Sequence, residues 1–115
     1  VSIAIALYLL WLSRGIFVSS LRIIMQFTPE DINIKEIAAE IEKIPGVRNI
    51  HHVHVWQINE HDLMFEAHLD LEEDMRVSGF EEILGRIKTL LAGTNIRHVT
   101  IQPEFSVDDR KQMIW

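Results

Sequence analysis

The chain has no cysteine among its 115 residues. Disulfide bonds, thiolate metal sites and a cysteine nucleophile are therefore excluded, and any metal site must use histidine, carboxylates or water. Its five glycines are scattered and form no phosphate-binding loop. Neither a G-x-S-x-G elbow nor an H-E-x-x-H helix occurs. Because no constellation supports catalysis, we expect that the protein is not an enzyme.

Acidic residues are absent from 1–27, which contain only two charged residues, Arg14 and Arg22. Residues 28–115 hold all 17 acidic residues against nine lysines and arginines, a net charge of −8. An acidic surface of this kind repels phosphate backbones, so we expect no nucleic-acid partner. The same surface attracts cations, although acidic surfaces mostly serve solubility.

Residues 1–27 form a largely apolar segment that starts at Val1 rather than at a methionine, so we expect the chain to be a fragment. As one helix the segment would be about 40 Å long, and a membrane span needs about 20 apolar residues. A signal peptide is disfavoured because Arg14 and Arg22 follow the apolar run. A buried core helix and the end of a last transmembrane helix remain. Apolar residues on every side of the first turns favour the transmembrane helix, with the arginines marking its cytoplasmic side.

A break at Thr28-Pro29 separates this segment from a predicted domain over 28–105 and a tail over 106–115, either mobile or docked. Helical and alternating spacing of apolar residues defines the elements of the domain. They are a helix over 33–44, a strand over 47–58, a turn over 59–62, a strand over 63–71, a helix that follows Ser78 and runs to about 91, and a strand over 96–101. Pro103 restricts the last strand to a sheet edge or a strand end. This order predicts an α+β layer in which two helices cover one face of a three-stranded sheet.

Histidines carry the strongest chemical signal. The six are His51, His52, His54, His61, His68 and His98. If the apolar faces of the first two strands are in register, the opposite face carries His52, His54 and Trp56 beside Met64, Glu66 and His68. Imidazole and carboxylate ligands suit Zn²⁺ and similar ions. The same residues could instead form a solvent-exposed face or a dimer contact.

Four short motifs together resemble the C-terminal part of the cation diffusion facilitator family. They are FTPE at 27–30, IPGV at 44–47, HHVHVW at 51–56 and HVTIQPE at 98–104. The resemblance covers residues 1–105 and implies the end of the last transmembrane helix followed by a cytoplasmic domain. It further implies a divalent metal/proton antiporter as the parent protein, and an open-faced, ferredoxin-like (metallochaperone-like) α-β-β-α-β fold for the domain.

The resemblance also implies a homodimer whose cytoplasmic domain binds Zn²⁺ or another divalent transition metal. His51, His68 and Glu104 match positions at which family members place metal ligands, and His98 is a neighbouring candidate. Glu81 falls near a position that supplies a histidine in some members. Binding would need neutral imidazoles, so affinity is expected to fall below about pH 6.5. The alternative is a purely structural dimerisation module without metal affinity.

Two features depart from the family pattern. Pro103 stands where many members have an apolar residue inside a strand. Strict alternation also places His51 on the opposite face from His68, so a joint site requires a β-bulge near His51 and His52.

Overall fold

The central strand of the sheet is the one with the cleanest alternation of apolar and polar residues. In a computed structural model, which describes residues 1–113, strand β2 (Leu63–Leu71) lies between β1 (Val47–Gln57) and β3 (Ile96–Glu104). β1 and β2 pair antiparallel, as the short connection between them requires. β2 and β3 pair in parallel because the chain returns through a helix, α3 (Val77–Leu91).

Two helices cover one face of this sheet, which confirms the predicted α+β architecture. Helix α2 (Ile34–Glu42) packs on β1, and α3 packs on β3 and α2. Asn33 caps α2 by accepting a hydrogen bond from the backbone N–H of Glu36 at 3.4 Å. The other face of the sheet is open.

The core lies between the helices and the inward faces of the strands. Phe65, at the middle of β2, is fully buried. The other core residues with relative exposure of 1% or less are Ala38, Ile41, Ile50, Val53, Val55, Ala67, Leu69, Ile87 and Leu91. Most of these core residues belong to the apolar pattern whose spacing predicted the helices and strands. Pro103 lies near the end of β3, an edge strand, as its missing N–H requires.

Helix α1 (Ser2–Ile24) stands apart from this core. It has 23 residues, a mean hydropathy of 1.7 over its most apolar stretch and no buried side chain. Length and composition alone make α1 able to cross a membrane, and it is the one such helix among residues 1–113. Its last turn is tied to the following segment by an ion pair between Arg22 and Glu30 at 2.7 Å. Because none of its side chains is buried, α1 is not a buried core helix, which was one of the two alternatives.

Gly46, in the turn between α2 and β1, provides a test of this packing. Its φ is +93°, and a Cβ there would lie 3.1 Å from Ile83 Cδ1. We expect Gly46→Ala to lower the free energy of unfolding by about 1–3 kcal/mol, measured by urea denaturation. Gly85→Ala is the matched control, because Gly85 lies within α3 with nothing within 4 Å of its Cβ position. It should stabilise by about 0.5–1 kcal/mol, and equal effects of the two substitutions would contradict the assignment.

Candidate metal centre

A β-bulge in β1 brings His51 onto the same sheet face as His68. His51 pairs with His68 and His54 pairs with Glu66, so two residues of β1 lie outside the register between these pairs. Within the bulge, His52 has a left-handed φ of +48°. The bulge that a joint site requires is therefore present: His51 pairs with His68, and the rings of His51 and His52 both lie near that of His68, at centroid distances of 5.5 and 5.0 Å.

Glu104 joins the two imidazoles. Its Oε2 lies 3.1 Å from His51 Nε2, and its Oε1 lies 2.7 Å from His68 Nδ1. Both nitrogen atoms are buried, and neither makes a well-formed hydrogen bond. His51 is 0% exposed and Glu104 is 6% exposed. Imidazole nitrogens that converge on a carboxylate in this way, without making hydrogen bonds, are suited to bind a cation.

Two aspartates extend the cluster. Asp70, on the same face of β2 as His68, places Oδ2 3.9 Å from His51 Nδ1. Asp109, from the tail, places Oδ2 3.4 Å from His51 Nε2. Two sets of potential ligands result, and within each set the donor atoms lie within 4.8 Å of one another. The sets are His51, Asp70 and Glu104, and His51, His52, His68 and Asp109.

Lys111 forms ion pairs with the three carboxylates of this cluster and offsets part of their charge. Its Nζ lies 3.1 Å from Asp70 Oδ1, 3.3 Å from Glu104 Oε2 and 2.5 Å from Asp109 Oδ1. Desolvation disfavours the charged ammonium, but the three carboxylates outweigh it and raise the pKa of Lys111. The hydrogen bond from Lys111 in turn lowers the pKa of Asp109. The cluster therefore already contains one cation that belongs to the chain itself.

The tail is docked, as far as the structure describes it. The bulge leaves the N–H groups of His52 and Val53 directed away from β2, and they donate to the carbonyls of Gln112 at 2.7 Å and Met113 at 2.6 Å. Met113 also packs against the core. Of the predicted tail over 106–115, the last two residues lie outside the described residues.

The predicted ligands are only partly brought together. His51, His68 and Glu104 converge, whereas His98 pairs with Met64 near the start of β2 and is exposed. His98 belongs to neither ligand set among residues 1–113. Glu81 is exposed on α3. As ligands, these residues stay predictions, and the geometry favours the first three.

Sequence reasoning missed Asp70, Asp109 and Lys111. Asp70 could have been found, because it alternates with His68 on one face of β2. Asp109 and Lys111 carried no such signal, since they lie outside the periodic elements and reach the cluster only through the docked tail.

The residues present fit a divalent metal. Imidazole nitrogens and carboxylate oxygens are the donors that Zn²⁺ and similar borderline ions accept, and each of the two ligand sets, which share His51, supplies both kinds. His51 Nδ1 is 3.1 Å from Asn49 Oδ1, a partner that fixes the ring and leaves Nε2 toward Glu104.

The fold and the site define the structural class of the protein: it is an open-faced α+β domain with a histidine–carboxylate cluster. Residues 29–106 match the family described as the cytoplasmic domain of cation efflux proteins. The chain therefore belongs to this family, the cation diffusion facilitators, as its motifs predicted.

Individual relatives agree with this assignment. The chain is 34% identical over 103 residues to the "Cadmium, cobalt and zinc/H(+)-K(+) antiporter" of Bacillus subtilis, which covers 90% of this chain and 33% of the antiporter. The chain thus spans about a third of the length of the curated relatives that it matches first.

Two solved structures share the fold. The metal-bound C-terminal domain of the CzcD transporter from Cupriavidus metallidurans is 31% identical, with a TM-score of 0.54 over 64% of this chain and 99% of that one. The corresponding domain from Thermotoga maritima is 20% identical, with a TM-score of 0.59 over 72% and 100% of the two chains. Both were solved as isolated domains, and α1 adds no buried residue to the core. Residues 28–115 are therefore expected to fold without α1.

Proposed function

We propose that this chain is the C-terminal regulatory part of a divalent cation efflux transporter whose cargo is zinc. Helix α1 would be the end of its last transmembrane helix, and the domain from Thr28 onward would lie in the cytoplasm. There it would bind metal and hold two subunits together. No enzymatic activity is proposed.

The convergence of His51, His68 and Glu104 carries the metal-binding part of this proposal. Buried imidazole nitrogens that lack hydrogen bonds are costly unless something else satisfies them, and a divalent cation would do so. The names of the relatives support zinc or similar ions as the cargo of the whole transporter.

The membrane and dimer parts rest on different features. α1 has the length and composition of a membrane span, and its Arg14 and Arg22 suit the cytoplasmic side. On the open face, Trp56 and Met64 are paired neighbours that remain partly exposed. Apolar groups on an otherwise polar face favour contact with a second copy, and a domain this small gains stability from dimerisation.

One observation favours the alternative, a structural dimerisation module without metal affinity. Lys111 already pairs with the carboxylates of Asp70, Glu104 and Asp109 and offsets part of their negative charge, so the cluster has a counterion without a metal.

Titration of Zn²⁺ into residues 28–115 decides between the two, with calorimetry for affinity and light scattering for mass. We expect saturable binding by the wild type and a loss of at least about 100-fold in affinity for the His51→Ala, His68→Ala double variant. His61→Ala, in the exposed turn before β2, is the control and should bind as the wild type does. His98→Ala tests the remaining predicted ligand in the same way.

Circular dichroism checks that the double variant is still folded, because removal of the fully buried His51 also removes packing contacts. His68→Ala alone leaves His51 in place and should still lose most of the affinity. A dimer that binds no Zn²⁺ would establish the structural module, and equal affinity in the wild type and a folded double variant would refute the assigned site.

A further inference from the structure

Lys111 reaches into the same set of oxygens that a metal ion would use. Its ammonium lies against Asp70 Oδ1 and Glu104 Oε2 at 3.1 and 3.3 Å, and the carboxylates of both residues are ligand candidates together with His51. The side chain of Lys111 is one-third exposed, so its flexible stem has a route into solvent. A positive charge of the chain itself thus holds part of the candidate site.

Docking of the tail does not by itself explain this placement. The carbonyls of Gln112 and Met113 already accept hydrogen bonds from the bulge of β1, and Met113 packs against the core. Arg110, the neighbouring cation of the tail, is exposed and makes no ion pair among residues 1–113. Of the two tail cations Arg110 and Lys111, only Lys111 has its charge directed at the cluster.

We propose that Lys111 is a tethered competitor for metal: it occupies the carboxylates of the metal-free domain, and a divalent ion must expel it in order to bind. The inference rests on the proposed function, in which this cluster binds metal. It adds that Lys111 sets the concentration of free metal ion at which the site becomes occupied.

The physical argument is one of shared lone pairs and like charges. Carboxylate oxygens that accept hydrogen bonds from an ammonium present fewer lone pairs to a metal. A divalent cation within coordination distance of Asp70 and Glu104 would also lie close to the ammonium, and repulsion between like charges is strong where water is largely excluded. Metal binding and the Lys111 ion pairs therefore exclude each other. Each metal ion that binds must first break these ion pairs, which lowers its apparent affinity.

Neutral replacement of Lys111 tests the proposal directly. Zn²⁺ as its chloride is titrated at fixed pH and ionic strength into residues 28–115 carrying Lys111→Met, with Lys111→Gln as a second neutral variant. Both should bind Zn²⁺ about tenfold more tightly than the wild type, or better. Lys111→Arg, which keeps the charge, should stay near the wild-type affinity, and Arg110→Met is the matched control that should leave it unchanged.

Thermal unfolding supplies a readout that does not depend on calorimetry. Without metal, Lys111→Met should unfold at a lower temperature than the wild type, because three carboxylates then face one another without a cation. Saturating Zn²⁺ should raise its melting temperature by more than it raises that of the wild type.

The outcomes separate this inference from the proposed function. If the wild type binds Zn²⁺ and both neutral variants bind it equally or less tightly, the competitor role is wrong and metal binding stands. If only the neutral variants bind, the competitor role stands and the wild-type domain is a structural module. If none of the folded proteins binds, both are overturned.

Discussion

Phe65→Ala is expected to lower the free energy of unfolding of residues 28–115 by about 3–5 kcal/mol. Phe65 is fully buried at the middle of the central strand, where it pairs with Val55 of β1 and Val99 of β3. The substitution removes an aromatic ring between the sheet and the helices, and the strands on both sides prevent the cavity from closing. Since a small domain has a total stability of about 5–10 kcal/mol, much of the population should unfold under mild stress.

Urea denaturation followed by circular dichroism measures this effect. Phe105→Ala is the control, because Phe105 follows β3 and is 45% exposed. It should cost less than about 1 kcal/mol. Similar costs at the two positions would mean that the core is not centred on β2.

Glu104→Gln should weaken Zn²⁺ binding by about 100-fold or more, if the proposed metal site is correct. Glu104 is the one side chain of the described part of the chain that approaches both His51 and His68 through its two oxygens. Glutamine has nearly the same shape, so the fold should survive. The amide, however, presents one neutral oxygen where the carboxylate presents two charged ones.

Calorimetric titration of Zn²⁺ compares this variant with Glu66→Gln. Glu66 lies on the same open face of β2 and pairs with His54 and Thr100, away from the cluster. We expect that control to retain its affinity within about twofold. Unchanged affinity in Glu104→Gln would remove Glu104 from the site, and an equal loss in both variants would indicate a general effect of surface charge.

Periodicity predicted most of the fold. The alternation from Leu63 to Leu71 and the helical spacing of Ile34, Ala38 and Ile41 identified the buried faces correctly, because burial of apolar groups is what organises both patterns. The parallel pairing of β2 with β3 was not predicted. It depends on where the chain returns after α3, and no local spacing records that position.

The candidate site was predictable only in part. Motif resemblance pointed to His51, His68 and Glu104, but strict alternation placed His51 on the wrong face. Its correct placement depends on a left-handed backbone at His52, a conformation that few non-glycine residues adopt and that alternation does not predict. Lys111 is 41 residues from Asp70 in the chain, so the ion pair between them follows from tertiary structure alone.

The two outer strands of the sheet end its growth in different ways. β3 carries Pro103, which has no N–H to offer a further strand. In β1, the bulge amides of His52 and Val53 are already bonded to the chain's own tail. Edge strands with free N–H groups invite neighbouring molecules to join them, with aggregation as the result. Where many copies are crowded together, this domain is thus guarded against edge-to-edge polymerisation, and docking of the C-terminal tail also serves colloidal stability.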